Sequence, residues 1–512
     1  MHLLHRAIEN WAIERPDALA VSMKQQRHCW AEVNEAICRF RGALAERGVG
    51  KGDHVAILLP NCPHFIIAYY AVLGLGAIAV PINIQHKSRE IGCQVESAEA
   101  KVVIGWSRFR AEVEKAVAHL ESVSHRIYLG DEIPDGTESM TNLLGTNQPL
   151  TSDSSIEESD TAVLLYTAGT SGKPRGVELS HGNLLAQTTE LGKLLRIRPD
   201  DSMLGVLPFT GIMGLSNGLH LALYHGASLS VHSRFHAGDV LDSLAEEKIT
   251  VFTGNPFMYA LMATFPSAEK LSFDNLRHLI CCESKLSAET AHSITEKLKV
   301  PVCEGYGTTE SSGIIAYNAF PGLNNEGSVG QPIGNTEITI LDEQDQVALP
   351  GVTGRVAIKG PSVMQGYRHR PERTSQVILK DGWLLTDDIG VMDDDSNLTV
   401  TGHLGDIIHK GGFPVHPREV EEVVEGLPHV EKVVVIGMPD PVYGEEIKAC
   451  VVLKDGANIS PSEIIEYVKE RIALYKCPKL IKFVKELPVT SDGRIIRSRL
   501  KDEVEESSST AS

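Results

Sequence analysis

Short runs of apolar and β-branched residues recur along the first two thirds of the chain: HVAILL from His54, GAIAVPI from Gly76, KVVIGW from Lys101, AVLLYT from Ala162, ASLSVHS from Ala227, TVFTGN from Thr250 and HLICC from His278. Helical patterns lie between them, and strands spaced by helices predict βαβ units with largely parallel sheets. The opening stretch MHLLHRAIENWAIERPDA reads as an amphipathic helix without the continuous apolar region of an export signal. The apolar run from Phe65 to Ile82 is about long enough to cross a bilayer. Gly74 and Gly76 divide it, however, into a helix starting near Asn61-Cys62-Pro63 and a short strand, Ala77 to Val80, which is the pattern of a covered α/β sheet.

From about Gly327 the texture changes. GSVGQPIGNTEITILDEQDQVALPGVTGRVAIKG has turn signals every few residues and alternating strands, so a compact β-rich subdomain is expected. GHLGDIIHKGG, Gly402 to Gly412, is glycine-rich and aperiodic, which suits a boundary. After it PREVEEVVEGL and PSEIIEYVKERIA read as helices, and EKVVVIGM, KACVVLK and IKFVKEL as strands. The expected fold class is therefore α/β: a large N-terminal domain of two βαβ-type sheets plus a β-rich subdomain, followed by a small α+β domain. The expected boundaries are 1–401, a hinge at 402–406, the small domain at 407–504 and a disordered polar tail at 505–512.

Composition narrows the partners. With 512 residues, 42% of them hydrophobic, the chain can fill two or three cores. Its 48 basic against 67 acidic residues leave a net charge of −19, which repels a polyanionic backbone and argues against nucleic acid. The nine cysteines include no Cys-x-x-Cys pair and no Cys/His set at zinc spacing, so they are read as free thiols in a reducing cytoplasm.

The chemistry concentrates in YTAGTSGKPRGVELSHGN, Tyr166 to Asn183. It is not a Walker loop, because counting from Gly169 or Gly172 places Pro174 or Val177 where the second glycine belongs. It still has the ingredients of a phosphate loop: glycines that let backbone N–H groups approach an anion, hydroxyls on Thr167, Thr170 and Ser171, and charge on Lys173 and Arg175. A strand from Thr161 to Tyr166 leads in, and a short strand, Val177 to Leu179, leads out to a helix that Ser180 or Asn183 can cap.

Tyr166 to Val177 resembles the YTSGTTGxPKGV loop of the superfamily of acyl- and aryl-CoA synthetases, luciferases and peptide-synthetase adenylation domains, with Ala168, Ser171 and Arg175 as departures. Further blocks similar to that family follow in order: EGYGTTES from Glu304, GSVGQPI from Gly327, GYRHRPERT from Gly366, GWLLTDDIG from Gly382, PREVEEVV from Pro417 and DGRIIRSRLKDE from Asp492. The resemblance implies a ligase with ATP, Mg²⁺ and coenzyme A. A carboxylate attacks the α-phosphate of ATP to give an acyl adenylate and pyrophosphate, and a thiol then displaces AMP. It also implies a core up to residue 401 that binds the nucleotide, a mobile domain beyond the hinge, and a hinge residue at Gly405.

Residue by residue, the resemblance makes Tyr306 the adenine-stacking ring, Thr309 the α-phosphate hydroxyl, Glu310 the Mg²⁺ carboxylate and Asp388 the ribose acceptor, beside the loop residues Thr167, Gly169, Thr170, Ser171, Gly172 and Arg175. Asp387 replaces a glycine and is expected to add negative charge near the ribose. CCESKL, from Cys281, stands where the family has an adenine shelf of small residues, so Glu283, Ser284 and Lys285 are expected to line the base. LPFTGIMGL, from Leu207, is the expected acyl pocket, with Phe209, Gly211, Met213 and Gly305. Gly211 replaces a histidine: either the entrance is widened for a medium-length, long or bulky acid, or a neighbour such as Met213 fills the space.

The ATP side departs from the pattern. Arg494, in GRIIR, occupies the position of the catalytic lysine, and an arginine fork does not reproduce the geometry of an ammonium. His403 stands where relatives carry a nucleotide-contacting arginine, and Gly405 where they carry Asp or Lys. Besides an acyl-CoA ligase, the pattern leaves open a relative that performs mainly the thiol step or binds an adenylate without turnover, and an acyl-carrier-protein ligase, whose thiol is of the same phosphopantetheine type.

Overall fold

The computed structural model describes residues 3–153, 155–167, 174–266, 271–319, 327–342, 344–404, 407–488 and 500. It divides into two compact units. The first comprises Met1–Ile84, Ile91–Thr167 and Gly176–Gly402; the second comprises Gln85–Glu90, Ala168–Arg175 and His403–Ser512.

The first unit is built on two large sheets and a smaller one. The nine-stranded sheet has at its centre the parallel strands Leu19–Met23, Ser228–Val231, Ser202–Gly205, Val251–Gly254, His278–Cys281 and Val302–Thr308, with antiparallel strands at its edges. The eight-stranded sheet has Thr161–Thr167, Ile78–Pro81, His54–Leu58, Val102–Trp106 and His125–Leu129 in its middle, again with parallel pairing. All seven apolar runs of the sequence are strands of these two sheets, buried because helices cover them. The third sheet is four-stranded: Glu337–Leu341, Gly354–Lys359, Leu384–Met392 and Leu398–His403, the β-rich region expected after Gly327.

The apolar run near residue 70 divides as its glycines require. A helix, Pro63–Leu73, starts with proline in its first turn and stops at Gly74; Gly76, at φ +66°, turns the chain into the strand Ile78–Pro81. Among the described residues no helix is long and apolar enough to cross a membrane.

In the second unit Gly444–Leu453 pairs antiparallel with Val430–Asp440 and parallel with Leu480–Phe483. The helices Pro417–Glu425 and Pro461–Lys469 supply Val420, Val424, Ile464 and Val468 to a core shared with Val433, Val435 and Val451. Ser460 and Glu463 cap the second of these helices reciprocally.

One buried contact ties the segment after Leu58 to the segment that carries Phe209. The Asn61 amide accepts from the Phe209 N–H at 2.9 Å and donates to the Leu207 carbonyl at 2.9 Å, so one side chain satisfies two backbone groups away from water. Asn61→Ala leaves both unpaired, at a cost of about 1–3 kcal/mol per group. The expected result is a lower thermal midpoint for the variant in a melting scan; an unchanged midpoint would mean that water replaces the amide.

Candidate active site

Parallel strands in an open α/β sheet present their carboxyl ends to ligands. Here those ends carry Asn255, Glu283 and the EGYGTTES turn, on three neighbouring strands. The turn is forced by glycine: a β-carbon on Gly307 would lie 1.7 Å from the Gly313 carbonyl oxygen, so only glycine lets Val302–Thr308 fold back on Gly313–Tyr317. Between them Thr308 and Ser311 cap a single helical turn reciprocally: the Ser311 N–H donates to the Thr308 hydroxyl at 3.2 Å and the Thr308 N–H to the Ser311 hydroxyl at 2.9 Å. Thr309 and Glu310 are the residues this cap holds at the end of the strand.

Tyr306 precedes the turn, and its hydroxyl donates to Asp388 Oδ2 at 2.6 Å. Asp388 reaches it from the smaller sheet through a bulge. Between the pairs Ala357↔Leu385 and Arg355↔Ile389, Val356 alone opposes Thr386, Asp387 and Asp388. The Thr386 hydroxyl fixes this bulge, donating to the Val356 carbonyl at 2.8 Å and accepting from the Asp388 N–H at 3.1 Å. Burial first, and the Asp388 carboxylate second, hold the Tyr306 phenol far above its ordinary range, so it remains a donor.

The same bulge changes the reading of Asp387. Its carboxylate lies 3.4 Å from Arg355 and 4.0 Å from Arg373, so its charge is met by two guanidinium groups instead of standing alone beside Asp388. Glu310 has its own phenol: Tyr367 donates to Oε1 at 2.8 Å, while the Met364 N–H donates to the Glu310 carbonyl at 2.8 Å. Sequence reasoning missed Tyr367, although it lies within the quoted GYRHRPERT block. Thr386 and Asn255 were missed as well, because their roles depend on strand register and on a neighbouring strand end.

The shelf expected at Glu283, Ser284 and Lys285 follows the His278–Cys281 strand. Glu283 sits at φ +79°, an uncommon conformation for a residue with a β-carbon, and is half-buried. Asn255 holds it: Asn255 Oδ1 caps the Pro256–Thr264 helix by accepting the Met258 N–H, so its Nδ2 turns outward and donates to Glu283 Oε2 at 2.9 Å. Lys285 is exposed, with its ammonium close to Gly327.

Of the residues expected to line an acyl pocket, Phe209 is fully buried with its ring 5.5 Å from that of Phe65. Met213 is buried and receives the Asn217 amide at its sulfur at 3.1 Å. Asn217 Oδ1 in turn accepts from the Gln187 amide at 2.8 Å and from the Ile314 N–H at 3.5 Å. The Ile314 side chain lies 2.9 Å from where a β-carbon on Gly305 would stand, so Met213 and Gly305 are linked through Asn217 and Ile314. Gly211 is exposed, and a β-carbon there would meet only the Pro208 carbonyl oxygen, at 3.7 Å, so a side chain would have room where it leaves the backbone.

The expected phosphate loop connects neighbouring strands, Thr161–Thr167 and Arg175–Ser180, so Thr167 and Arg175 stand at its two ends. At its exit Ser180 and Asn183 act together, each capping the other's N–H ahead of the helix His181–Leu195. Gly169, Thr170, Ser171, Gly172 and Lys173 lie outside the described residues, as do Gly405 and Arg494. In the second unit His403 ends its strand half-buried, and its charge, after burial and Arg175, helps to hold His416 down at about 4.

Burial raises the Glu283 carboxyl from its ordinary value to about 7, against the opposing pull of Asn255. A folded-state pKa above the unfolded value means that the native state holds the proton more tightly, so this group favours the fold below about pH 4.5 and that advantage is lost as pH rises through about 7. Glu283→Gln should therefore gain thermal stability relative to the wild type between pH 5 and pH 8, read as melting midpoints across a pH series. A constant difference would show that Glu283 titrates normally.

Comparison with known proteins agrees with this architecture. The family model for AMP-binding enzymes matches residues 8–368, and the model for the AMP-binding enzyme C-terminal domain matches residues 419–494. The long-chain-fatty-acid–CoA ligase of Bacillus subtilis is 30% identical, across 98% of this chain and 94% of that protein. The feruloyl-CoA synthase of an Amycolatopsis species is also 30% identical, across 97% and 99%. Among solved structures, an o-succinylbenzoate CoA synthetase from Bacillus subtilis superposes with a TM-score of 0.86 at 29% identity, covering 97% of this chain and 98% of that one. The amide bond synthetase McbA from Marinactinospora thermotolerans does so with a TM-score of 0.89 at 25% identity, covering 98% and 99%. With the ordered motifs, the mixed α/β fold and both family models in agreement, the chain belongs to the AMP-binding enzyme family.

Proposed function

We propose that this enzyme is an ATP-dependent acyl-CoA ligase, which activates a carboxylic acid as its acyl adenylate and passes the acyl group to the thiol of coenzyme A. The observation that carries the reading is the 2.6 Å bond from Tyr306 to Asp388, because it joins the two residues that the family resemblance assigns to adenine and ribose, 82 positions apart in the chain. The CoA ligases among the relatives support the reaction class.

In this reading the Tyr306 ring supports the base beside Glu283, Ser284 and Lys285, and Asp388 accepts from the ribose hydroxyls. The loop from Thr167 to Arg175, through Gly169, Thr170, Ser171 and Gly172, receives the phosphates with backbone N–H groups and hydroxyls, the donor type that stabilises charge developing on a leaving pyrophosphate. Thr309 meets the α-phosphate. Arg494 belongs to the part that moves about Gly405 and bridges the substrate carboxylate and the α-phosphate, while His403, within the hinge, meets the nucleotide.

The residues fit a magnesium ion brought in with the nucleotide. Among the described residues no group of three or more His, Cys, Asp or Glu forms a metal cage. A single carboxylate, Glu310, next to the Thr309 hydroxyl, is the kind of sparse oxygen set that suits Mg²⁺, whose remaining positions go to water and substrate phosphates. When bound, Mg²⁺ supplies charge neutralisation at the phosphates.

For the acid, the open space at Gly211 supports a medium-length, long or bulky substrate, with Phe209, Met213 and Gly305 as pocket residues. Gly211→His should narrow the entrance. A fall of about tenfold in kcat/KM for long acids, with short acids spared, is expected; an equal loss across chain lengths would place the acid elsewhere.

A second reading is favoured by one observation, Arg494 at the lysine position: adenylation is weak, and the protein acts mainly in the thiol step, on coenzyme A or on an acyl carrier protein. Pyrophosphate exchange with a panel of acids separates the two. Acid-dependent exchange is expected for the full ligase; thioester formation from a supplied acyl adenylate, without exchange for any acid, would overturn it. Arg494→Lys should raise the exchange rate if the guanidinium is a poor replacement, whereas an unchanged or lower rate would mean that the site is built around arginine.

A further inference from the structure

We infer that Tyr367 is a positioning residue for the carboxylate of Glu310 and thereby sets the affinity of the site for a divalent cation; this rests on the reading of Glu310 as the metal carboxylate. The geometry comes from one short segment. Its Met364 N–H donates to the Glu310 main-chain carbonyl at 2.8 Å, and its Tyr367 hydroxyl donates to Glu310 Oε1 at 2.8 Å. Backbone and side chain of the same glutamate are therefore both held from residues 364–367.

Tyr367 is itself fixed. It is 6% exposed, and its N–H donates to the Thr374 hydroxyl at 2.9 Å. Its strand, Gly366–Tyr367, pairs antiparallel with Arg175–Ser180, with Tyr367 opposite Val177 and Gly366 opposite Glu178. Gly366 has φ +155° and lies so close to Thr374 that a β-carbon would stand 2.9 Å from its methyl group, so the segment is seated tightly. A phenol anchored in this way cannot follow the glutamate, and the glutamate must take the rotamer that meets the phenol.

Two physical consequences follow. A hydroxyl donating to a carboxylate favours the anion and fixes its plane, which spares a bound cation the cost of ordering a free side chain. The partner strand, Arg175–Ser180, follows the glycine loop in the sequence, so the residue that orients Glu310 is registered on the strand that continues from the loop proposed to hold the phosphates. Partners that orient a metal ligand typically matter by 10–100-fold in metal affinity.

The test uses the full-length enzyme with a non-hydrolysable ATP analogue, and Mn²⁺ binding followed by electron paramagnetic resonance. Tyr367→Phe removes one oxygen and keeps the ring. The expected result is Mn²⁺ affinity lower by about tenfold or more, with the affinity for AMP, measured without metal, unchanged and a cooperative melt showing that the variant is folded. Unchanged Mn²⁺ affinity in the folded variant would overturn the inference, and so would a parallel loss of AMP binding, which marks a merely structural role. Should Tyr367→Phe fail to fold, Tyr367→Leu is a second variant without the hydroxyl, read against the same outcomes. Glu310→Gln separates the two levels: if it leaves Mn²⁺ affinity intact, Glu310 is not the metal carboxylate and the underlying reading fails. If it abolishes most of the affinity, adding Tyr367→Phe should cost nothing further, and an additive loss would show that Tyr367 acts by another route.

Discussion

The bond between the Tyr306 phenol and the Asp388 carboxylate is the contact on which the candidate site depends. It joins the carboxyl end of a strand in the nine-stranded sheet to a bulge in the four-stranded sheet. The phenol is partly buried and held protonated, so losing its partner would leave a polar group short of a bond, at a cost of about 1–3 kcal/mol. The bond therefore fixes where the carboxylate stands, and in the proposed reading an acceptor held in advance is worth more to ribose binding than one that must be ordered.

A steric constraint lies beside it. The return of the chain after Thr308 is so tight that residue 307 admits no β-carbon, and the reciprocal cap of Thr308 and Ser311 closes the turn. Thr309 and Glu310 owe their positions to that closure. The site is thus assembled from rigid strand ends, with side chains oriented by neighbours from other elements: Tyr367 for Glu310, Thr386 for Asp388, Asn255 for Glu283. Holding functional groups through such a surrounding layer keeps geometry within narrow limits.

The AMP-binding family's fold was legible in the sequence to an unusual degree. The seven apolar runs became strands because fully covered parallel strands must be apolar on both faces, and the runs had no other way to be buried. Gly74 and Gly76 divided the long apolar run where they were expected to. The helix start after the glycine loop was legible except for one detail: Ser180 and Asn183 were alternatives in the sequence and are partners in the structure, since a capping box uses both. Asp387 shows the opposite case. Next to Asp388 it reads as added charge, yet a bulge sends it toward Arg355 and Arg373, whose distances along the chain carry no signal.

What the sequence determined by itself was therefore what short-range order sets: strand and helix periodicity, the helix start after the glycine loop, and the break at Gly74 and Gly76. Only the tertiary structure decided which donor meets which acceptor, as with Tyr306 and Asp388, Tyr367 and Glu310, or Asn217 between Met213 and Ile314. The reason is physical. Periodicity and capping are settled by neighbours a few residues apart, whereas pairings across strands depend on register and bulges, and a shift of one residue in register turns each side chain to the other face.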